Sequence, residues 1–474
     1  MQLSRFTVLS EPDIREIHEA TLDILEHCGV KILHRGMLSF LKEKGLAVDE
    51  QTQVVRFSRG CVADAMGLIP PQFEVFDRQG RFAFVIGDRV PKIAAGHNAV
   101  FWVDSKTGQT RYSTVADVEL FARLCQHLEG IDIVGIPVMP QDIPNPSATM
   151  LYGLKAVIEN SAKPVYFSAD TAKVNQSCLA MLRAAFVGDL QSRVYGIAQC
   201  SPTSPLFWEE QVIESIMQTA PTGVPLAILP EPNAGVSAPY TLAGLLTVNN
   251  VECLSGLVMI QLLQPGAKVM YANSWTTMDM RSGAALVASA ETNVCRIAAA
   301  QLAHFYRVPS HTTAPNSDNH AHDEQNAWEK TFSQFCAIGA GHDLIVNCGM
   351  FATGMTCSHE QLLMDEEISN LSRRIAAGVE VNHDTISKDL IKAIGPQRAE
   401  YLTADHTLRW LHSPEHLEPK LSVRGPRACW EAKGAKDTYL LAKDKVDEYG
   451  RLPLEALDRQ RSGKLRDILR SFEA

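Results

Sequence analysis

A chain of 474 residues with a net charge of −10 has ample length for a large buried core, and its Lys and Arg are dispersed rather than gathered on one face, which speaks against nucleic acid as a partner. Eleven cysteines, an odd number with no CxxC pair, fit reduced, mostly buried thiols better than a disulfide framework or a structural zinc site. The N-terminal stretch lacks an apolar leader core, and the greasy run 254–263 is short and broken by Ser255, Gly256 and Gln261, so no export signal or membrane span is expected and the location expected is cytoplasmic.

In chain order, Ser10 and Asp13 form a capping box for a helix whose Ile14, Ile17, Ile24, Leu25 and Cys28 share one face before Gly29 ends it. A second helix over 36–44 and short strands near 53–57, 73–76 and 82–86 complete an α+β region, residues 1–90, expected to cap one end of the next domain. Ile93 to His97 reads as a strand, 102–112 as a hairpin turning at Thr107-Gly108, and Thr114 with Asp117 as the start of a helix. Seven further apolar runs rich in β-branched residues begin near Ile131, Pro164, Val194, Val224, Lys268, Val308 and Asp343, with helical periodicity between them. A parallel strand buried on both faces is continuously apolar, and its return crossover needs a helix. Eight such units predict the α/β class and a (β/α)8 TIM barrel over 91–380. Beyond it the pattern weakens; 381–474 reads as a C-terminal helical tail, closing on a charged helix over 453–472 and wrapped on the barrel or on a neighbouring subunit, with a homo-oligomer expected.

Familiar catalytic motifs fail. His359-Glu360 opens like a zincin helix but position 363 is Leu; Gly235-Val236-Ser237-Ala238-Pro239 lacks the last glycine of a nucleophile elbow; Gly339-Ala340-Gly341 precedes a strand instead of following one. His320 and His322 with Asp318 and Asp323 lie in a polar loop at a helix start, where Asp caps backbone N–H groups, and no metal is expected there.

Barrels of this kind carry their chemistry at the strands' C-terminal ends. His97, Gln199, Glu231, Asn233, Asn273, Trp275, His311 and the loop from Cys348 to Gly354 should therefore converge on one mouth. Each has two readings. The amides and histidines either bind substrate or satisfy loop backbone groups; Trp275 and Phe351 either pack or cage an organic cation; Arg281 either pairs with a substrate carboxylate or binds Asp279. Glu231, just after an apolar strand, needs a partner if it is deep, whether substrate cation, Arg or backbone N–H.

The segments 234–244, Gln261 to Gly266, Asp318 with Asp323, Gln325 and Ala327, Gly349-Met350 through Gly354-Met355, and Glu360-Gln361-Leu362 resemble the trimethylamine methyltransferase family, and the similarity runs over roughly 10–379. The resemblance implies a barrel that passes a methyl group from an amine to the cobalt of a separate corrinoid protein, so the corrinoid (cobalamin) would come with that partner and none would be held tightly by this chain. The trimethylamine enzymes carry pyrrolysine in the loop matching 350–354, whereas here Phe351-Ala352-Thr353 are ordinary residues. The chain is therefore similar to the pyrrolysine-lacking branch, whose members demethylate quaternary amines, glycine betaine foremost, to dimethylglycine. On that reading Glu231, Trp275 and Phe351 hold the cation, while His97, His311 or Arg281, with Gln199, Asn233, Asn273 and Cys348 nearby, hold the rest of the substrate. Proline betaine or carnitine as substrate, a zinc-assisted methyltransferase or lyase using His97, Glu231, His311 or Cys348, and a non-catalytic barrel that binds betaines or corrinoid proteins stand as alternatives.

Overall fold

The computed structural model describes residues 6–169, 171–395 and 400–474; the first five residues of the N-terminal stretch read above for a leader lie outside them. Eight parallel strands form one sheet: β1 (Lys92–Ala95), β2 (Ile133–Gly135), β3 (Val165–Ser168), β4 (Gly196–Cys200), β5 (Leu226–Ile228), β6 (Val269–Tyr271), β7 (His311–Thr313) and β8 (Leu344–Cys348). Each pairs with its chain neighbour, and β8 pairs with β1. The ring closes where the Tyr271 N–H donates to the Pro309 carbonyl at 2.9 Å, beside a Tyr271–Ser310 bridge. All eight predicted runs are barrel strands, because every one of these residues is buried and no strand face is left for water.

Helices α1 (Val115–His127), α2 (Thr149–Asn160), α3 (Ala172–Ala185), α4 (Glu210–Thr219), α5 (Leu242–Leu263), α6 (Ala290–Tyr306), α7 (Glu324–Ala340) and α8 (His359–Ala377) alternate with the strands and wrap them. The predicted box at Thr114 forms: its hydroxyl accepts the Asp117 N–H while Asp117 accepts from the Thr114 backbone at 2.8 Å. Helix α5 has 22 residues, so the run over 254–263 is the second half of a longer helix. It is long and apolar enough to cross a bilayer, yet most of it is buried between the barrel strands and the N-terminal helices. That is the place of a core helix.

The N-terminal region does two separate jobs. Its first helix, Glu11–Asp23 with the expected Ser10–Asp13 box, and the unpredicted helix Arg59–Gly67 pack along α5 on the barrel flank. The hairpin Phe73–Phe76 and Phe82–Ile86 caps the N-terminal end of the barrel: Phe73, Val75 and Ile86 share one interior cluster with Ala94, Ile133, Ile197, Met270 and Val346. Phe76 N–H donates to the carbonyl of Val194, which lies just before β4, at 2.7 Å. The strands' N-terminal end is thereby plugged with apolar side chains, each such burial contributing ~1.5–3 kcal/mol, and the opposite end is left for polar chemistry.

After α8 the described residues include four short helices, His383–Ile386, Lys388–Ile394, Asp405–Trp410 and Arg427–Ala432, none of which has a buried residue. Lys420 on Glu366 at 2.9 Å and the Ser422 hydroxyl on Glu367 at 2.7 Å tie this arm to α8. Two later helices lie on the barrel, Thr438–Tyr449 on α8 and α1, Arg459–Glu473 on α3 and α2. The last begins at Arg459 and not near 453, because Asp458 caps it by accepting the Arg461 N–H at 2.9 Å.

Candidate active site

A cavity of about 680 Å³ opens at the C-terminal ends of the strands. Strand β1 delivers His97 and Asn98, β3 Ser168, β4 Gln199 and Ser201, β7 Thr313, β8 Asn347, and the segment after β5 Glu231. Gly96 makes the first of these possible. At φ +82° it bends β1 over β2, and a Cβ there would sit 2.6 Å from Pro137 Cα.

Hydrogen bonds fix the polar wall. The Tyr166 hydroxyl donates to Gln199 Oε1 at 2.7 Å, which turns Gln199 Nε2 toward Ser201 Oγ at 3.2 Å. Asn98 Nδ2 donates to Ser168 Oγ at 2.7 Å, Asn347 Nδ2 to Asn316 Oδ1 at 2.9 Å, and Asn316 Nδ2 to the Thr313 carbonyl at 3.0 Å. Each amide thus presents a set orientation to a ligand.

Two histidines flank Tyr166. His97 meets its ring edge-on at 5.7 Å between centroids, and His311 stacks on it at 5.5 Å. Burial lowers the His97 pKa below the usual imidazole value, against the side chains of Gln199 and Asn347, which raise it. His311 is fully buried, neither of its ring nitrogens has a hydrogen-bond partner, and burial together with His97 and His342 pushes its pKa well down. Both rings are neutral at neutral pH. His311 lies one layer below the cavity wall and does not line it.

The loop after β8 forms another wall. Gly349 takes φ +93° with Phe121 packed where a side chain would go, and Ala352, Thr353 and Gly354 follow in the left-handed region. At its base Lys330 of α7 and Asp365 of α8, both fully buried, pair at 2.8 Å. Lys330 also donates to the Met350 carbonyl, while Asp365 accepts the Gly349 N–H at 2.6 Å and Gln361 Nε2 at 2.8 Å. The buried ion pair pins the start of the turn that carries Met350, Thr353 and Gly354 to the cavity.

Of the residues singled out in the sequence, the structure brings His97, Gln199, Glu231 and, from the loop over 348–354, Met350, Thr353 and Gly354 to the cavity. Glu231 is exposed there and not deep, held between Pro230 and Pro232, whose carbonyls accept the Ser274 and Thr276 N–H groups. The others lie elsewhere. Trp275 is 2 % exposed, its indole N–H reaching the Thr292 carbonyl, and Phe351 is 1 % exposed against Val103 and Ala352, so the two-ring cage is not formed in this conformation. Cys348 faces Ser369 of α8, and burial pushes its thiol pKa well above the usual value. Asn273 is spent on tying β6 to β7, donating to the His311 carbonyl at 2.9 Å and accepting from Thr312 at 2.6 Å. Asn233 starts the loop that its carbonyl and Ser237 close, and exposed Arg281 sits in the turn of the hairpin Thr276–Asp279 and Ala284–Leu286, its N–H on Asp279.

The proposed zinc set therefore separates, since only His97 and Glu231 of its four members face the cavity. Among the described residues no three His, Cys, Asp or Glu side chains gather as a metal-holding group. Asp318 accepts the Val287 and Ala288 N–H groups and Asp323 caps α7. Burial brings the neighbouring His322 down to about 4. Sequence reasoning missed Asn98, Ser168, Ser201, Thr313, Asn316 and Asn347, all small polar residues at or within four positions of a strand end. That position was their one signal.

The family model for trimethylamine methyltransferase matches residues 1–470. A trimethylamine methyltransferase from Desulfitobacterium hafniense is 30% identical over 467 residues, 98% of this chain and 93% of that one. One from Methanosarcina barkeri is 31% identical over 458 residues, covering 94% and 90%. A glycine betaine methyltransferase from Desulfitobacterium hafniense is 29% identical over 436 residues, covering 90% and 89%. In fold, the monomethylamine methyltransferase of Methanosarcina barkeri superposes with a TM-score of 0.54 at 13% identity, over 95% of this chain and 90% of that one. A closed (β/α)8 barrel with its polar cavity at the strands' C-terminal ends, matched to one family along almost its whole length, makes this chain a member of the trimethylamine methyltransferase family.

Proposed function

We propose that the protein is a methyltransferase that moves a methyl group from a quaternary ammonium compound, glycine betaine first among them, to the Co(I) of a corrinoid held by a separate protein. The observation that carries this reading is the cavity itself, a polar, open mouth whose wall, among the described residues, holds one carboxylate, Glu231, and His97, whose pKa burial lowers. A quaternary nitrogen leaves as a neutral amine without first taking a proton, so a site lacking a charged acid is suited to it. The ordinary residues Phe351-Ala352-Thr353 and the similarity to a glycine betaine methyltransferase support the same choice.

The corrinoid supplies a strong cobalt nucleophile; this chain's share is to place the methyl carbon beneath it and keep it aligned, which lowers the barrier by several kcal/mol. Glu231 offers the cation a partner in a water-exposed setting, where opposite charges at 4 Å gain only ~1–4 kcal/mol. That modest grip matters, because the positive charge fades on the way to the transition state and a tight hold would favour reactant. The Tyr166–Gln199–Ser201 chain and Asn98 orient the remainder of the molecule.

Glycine betaine deuterated in all three N-methyl groups tests the reading. With the reduced corrinoid protein present, dimethylglycine and labelled methylcorrinoid should appear in equal amounts; dimethylglycine without methylation of the corrinoid would contradict it.

A further inference from the structure

Charge is distributed over the cavity wall in one sense only. Among the described residues that line it, Glu231 carries charge and no Lys or Arg is present. His97 is kept neutral by its burial. Arg281, the cation expected to meet a substrate carboxylate, is exposed on its hairpin turn and outside the lining. What remains for the far end of a substrate is neutral: the hydroxyls of Ser201, Ser237, Ser274 and Thr276 and the amides of Gln199 and Asn98.

Neutral groups of this kind treat a carboxylate and an alcohol alike. A hydroxyl donates to a carboxylate oxygen, and it donates to or accepts from an alcohol. An ionised anchor would make a bidentate, charge-assisted pair with the carboxylate alone, and Glu231 disfavours a second anion in the same cavity. We infer that the site selects its substrate by the quaternary nitrogen and not by a carboxylate, so that trimethylammonium alcohols of the choline class are substrates together with the betaines. The inference rests on the function proposed above and extends its substrate class.

The chemistry is the same for both. The N–CH3 bond breaks with its electron pair left on nitrogen, giving neutral dimethylaminoethanol from choline. The methyl carbon bonds to cobalt through the Co(I) electron pair, the metal passing formally to Co(III), and no proton moves.

Calorimetric titration of the enzyme alone with choline and with glycine betaine, followed by methyl transfer with each, tests this. Dissociation constants within about tenfold of each other are expected, and Glu231→Gln should weaken both by a similar factor, about tenfold. Glu231 is exposed, and circular dichroism should show the variant folded. Betaine binding more than about a hundredfold tighter than choline, a gap only a charged anchor supplies, would overturn the inference. So would methyl transfer from glycine betaine with choline inert, an outcome that leaves the proposed function standing. Failure of both compounds to bind or to donate would overturn the two together.

Discussion

Tyr166 is the residue on which the cavity's polar order turns. It is buried, contacts both histidines, and holds Gln199 Oε1. Tyr166→Phe keeps the ring stack and deletes the hydroxyl that donates to the Gln199 amide. It should lower unfolding stability by about 1 kcal/mol in urea titration and weaken substrate binding several-fold; unchanged binding would show that Gln199 does not meet the ligand. The mouth was partly legible at this scale, since His97, Gln199 and Glu231 follow from counting to the ends of apolar runs. Asn347 was not, for a stereochemical reason. The pairing of β8 with β1 shifts register between Val346 and Cys348, and Asn347 sits there at φ +117°, so the asparagine turns into the cavity and the cysteine into the wall. Alternation along a strand inverts with one such irregularity, and nothing in VNCG announces it.

Between elements, two buried carboxyl groups hold the loops of the mouth. Lys330 and Asp365 clamp the turn after β8. Lys330→Met leaves Asp365 without its cation in the interior, and urea unfolding should register a loss of about 3–5 kcal/mol. A loss below about 1 kcal/mol would mean that Asp365 is satisfied by its remaining donors. Glu252 of α5 accepts from Ser204 Oγ and from the Leu206 N–H, both at 2.8 Å, and burial raises its pKa from 4.5 to about 7. The folded carboxyl keeps a proton that the unfolded chain has released, so this group's stabilising effect is full below about 4.5 and fades as pH rises through about 7. Glu252→Gln cannot titrate, and its melting temperature relative to the wild type should climb between pH 5 and pH 8; a constant difference would contradict the assignment. Helix α5 also shows why its length escaped the sequence. Ser255, Gly256 and Gln261 look like breaks, yet Gly256 leaves room for Trp208 at 2.8 Å from a would-be Cβ, Ser255 Oγ accepts the Trp208 indole N–H at 3.1 Å, and Gln261 closes the turn at Ala267.

For the molecule as a whole, the βα cadence carried the barrel, because eight doubly buried strands leave a signal that no other arrangement of this chain would. The arm after α8 carried none, since its described helices bury no residue and so have no apolar face to repeat. Val381, Ile386, Ile391, Leu402, Leu408, Leu411 and Val423 are each at least half exposed, on or beside helices that bury no residue. Two such arms meeting across a twofold axis would remove on the order of 1,500 Å² from water, the size of a stable interface. Light scattering is expected to give a dimer or larger assembly, and Leu408→Asp with Leu411→Asp to shift it toward monomer; a wild-type monomer at micromolar concentration would contradict that pairing.

The most direct measurement of the proposed reaction is the absorbance of the reduced corrinoid protein when enzyme and amine are added together. Glycine betaine should convert the Co(I) spectrum to that of the methylated form, with trimethylamine leaving it unchanged. Conversion by trimethylamine while every quaternary compound stays silent would contradict the assignment.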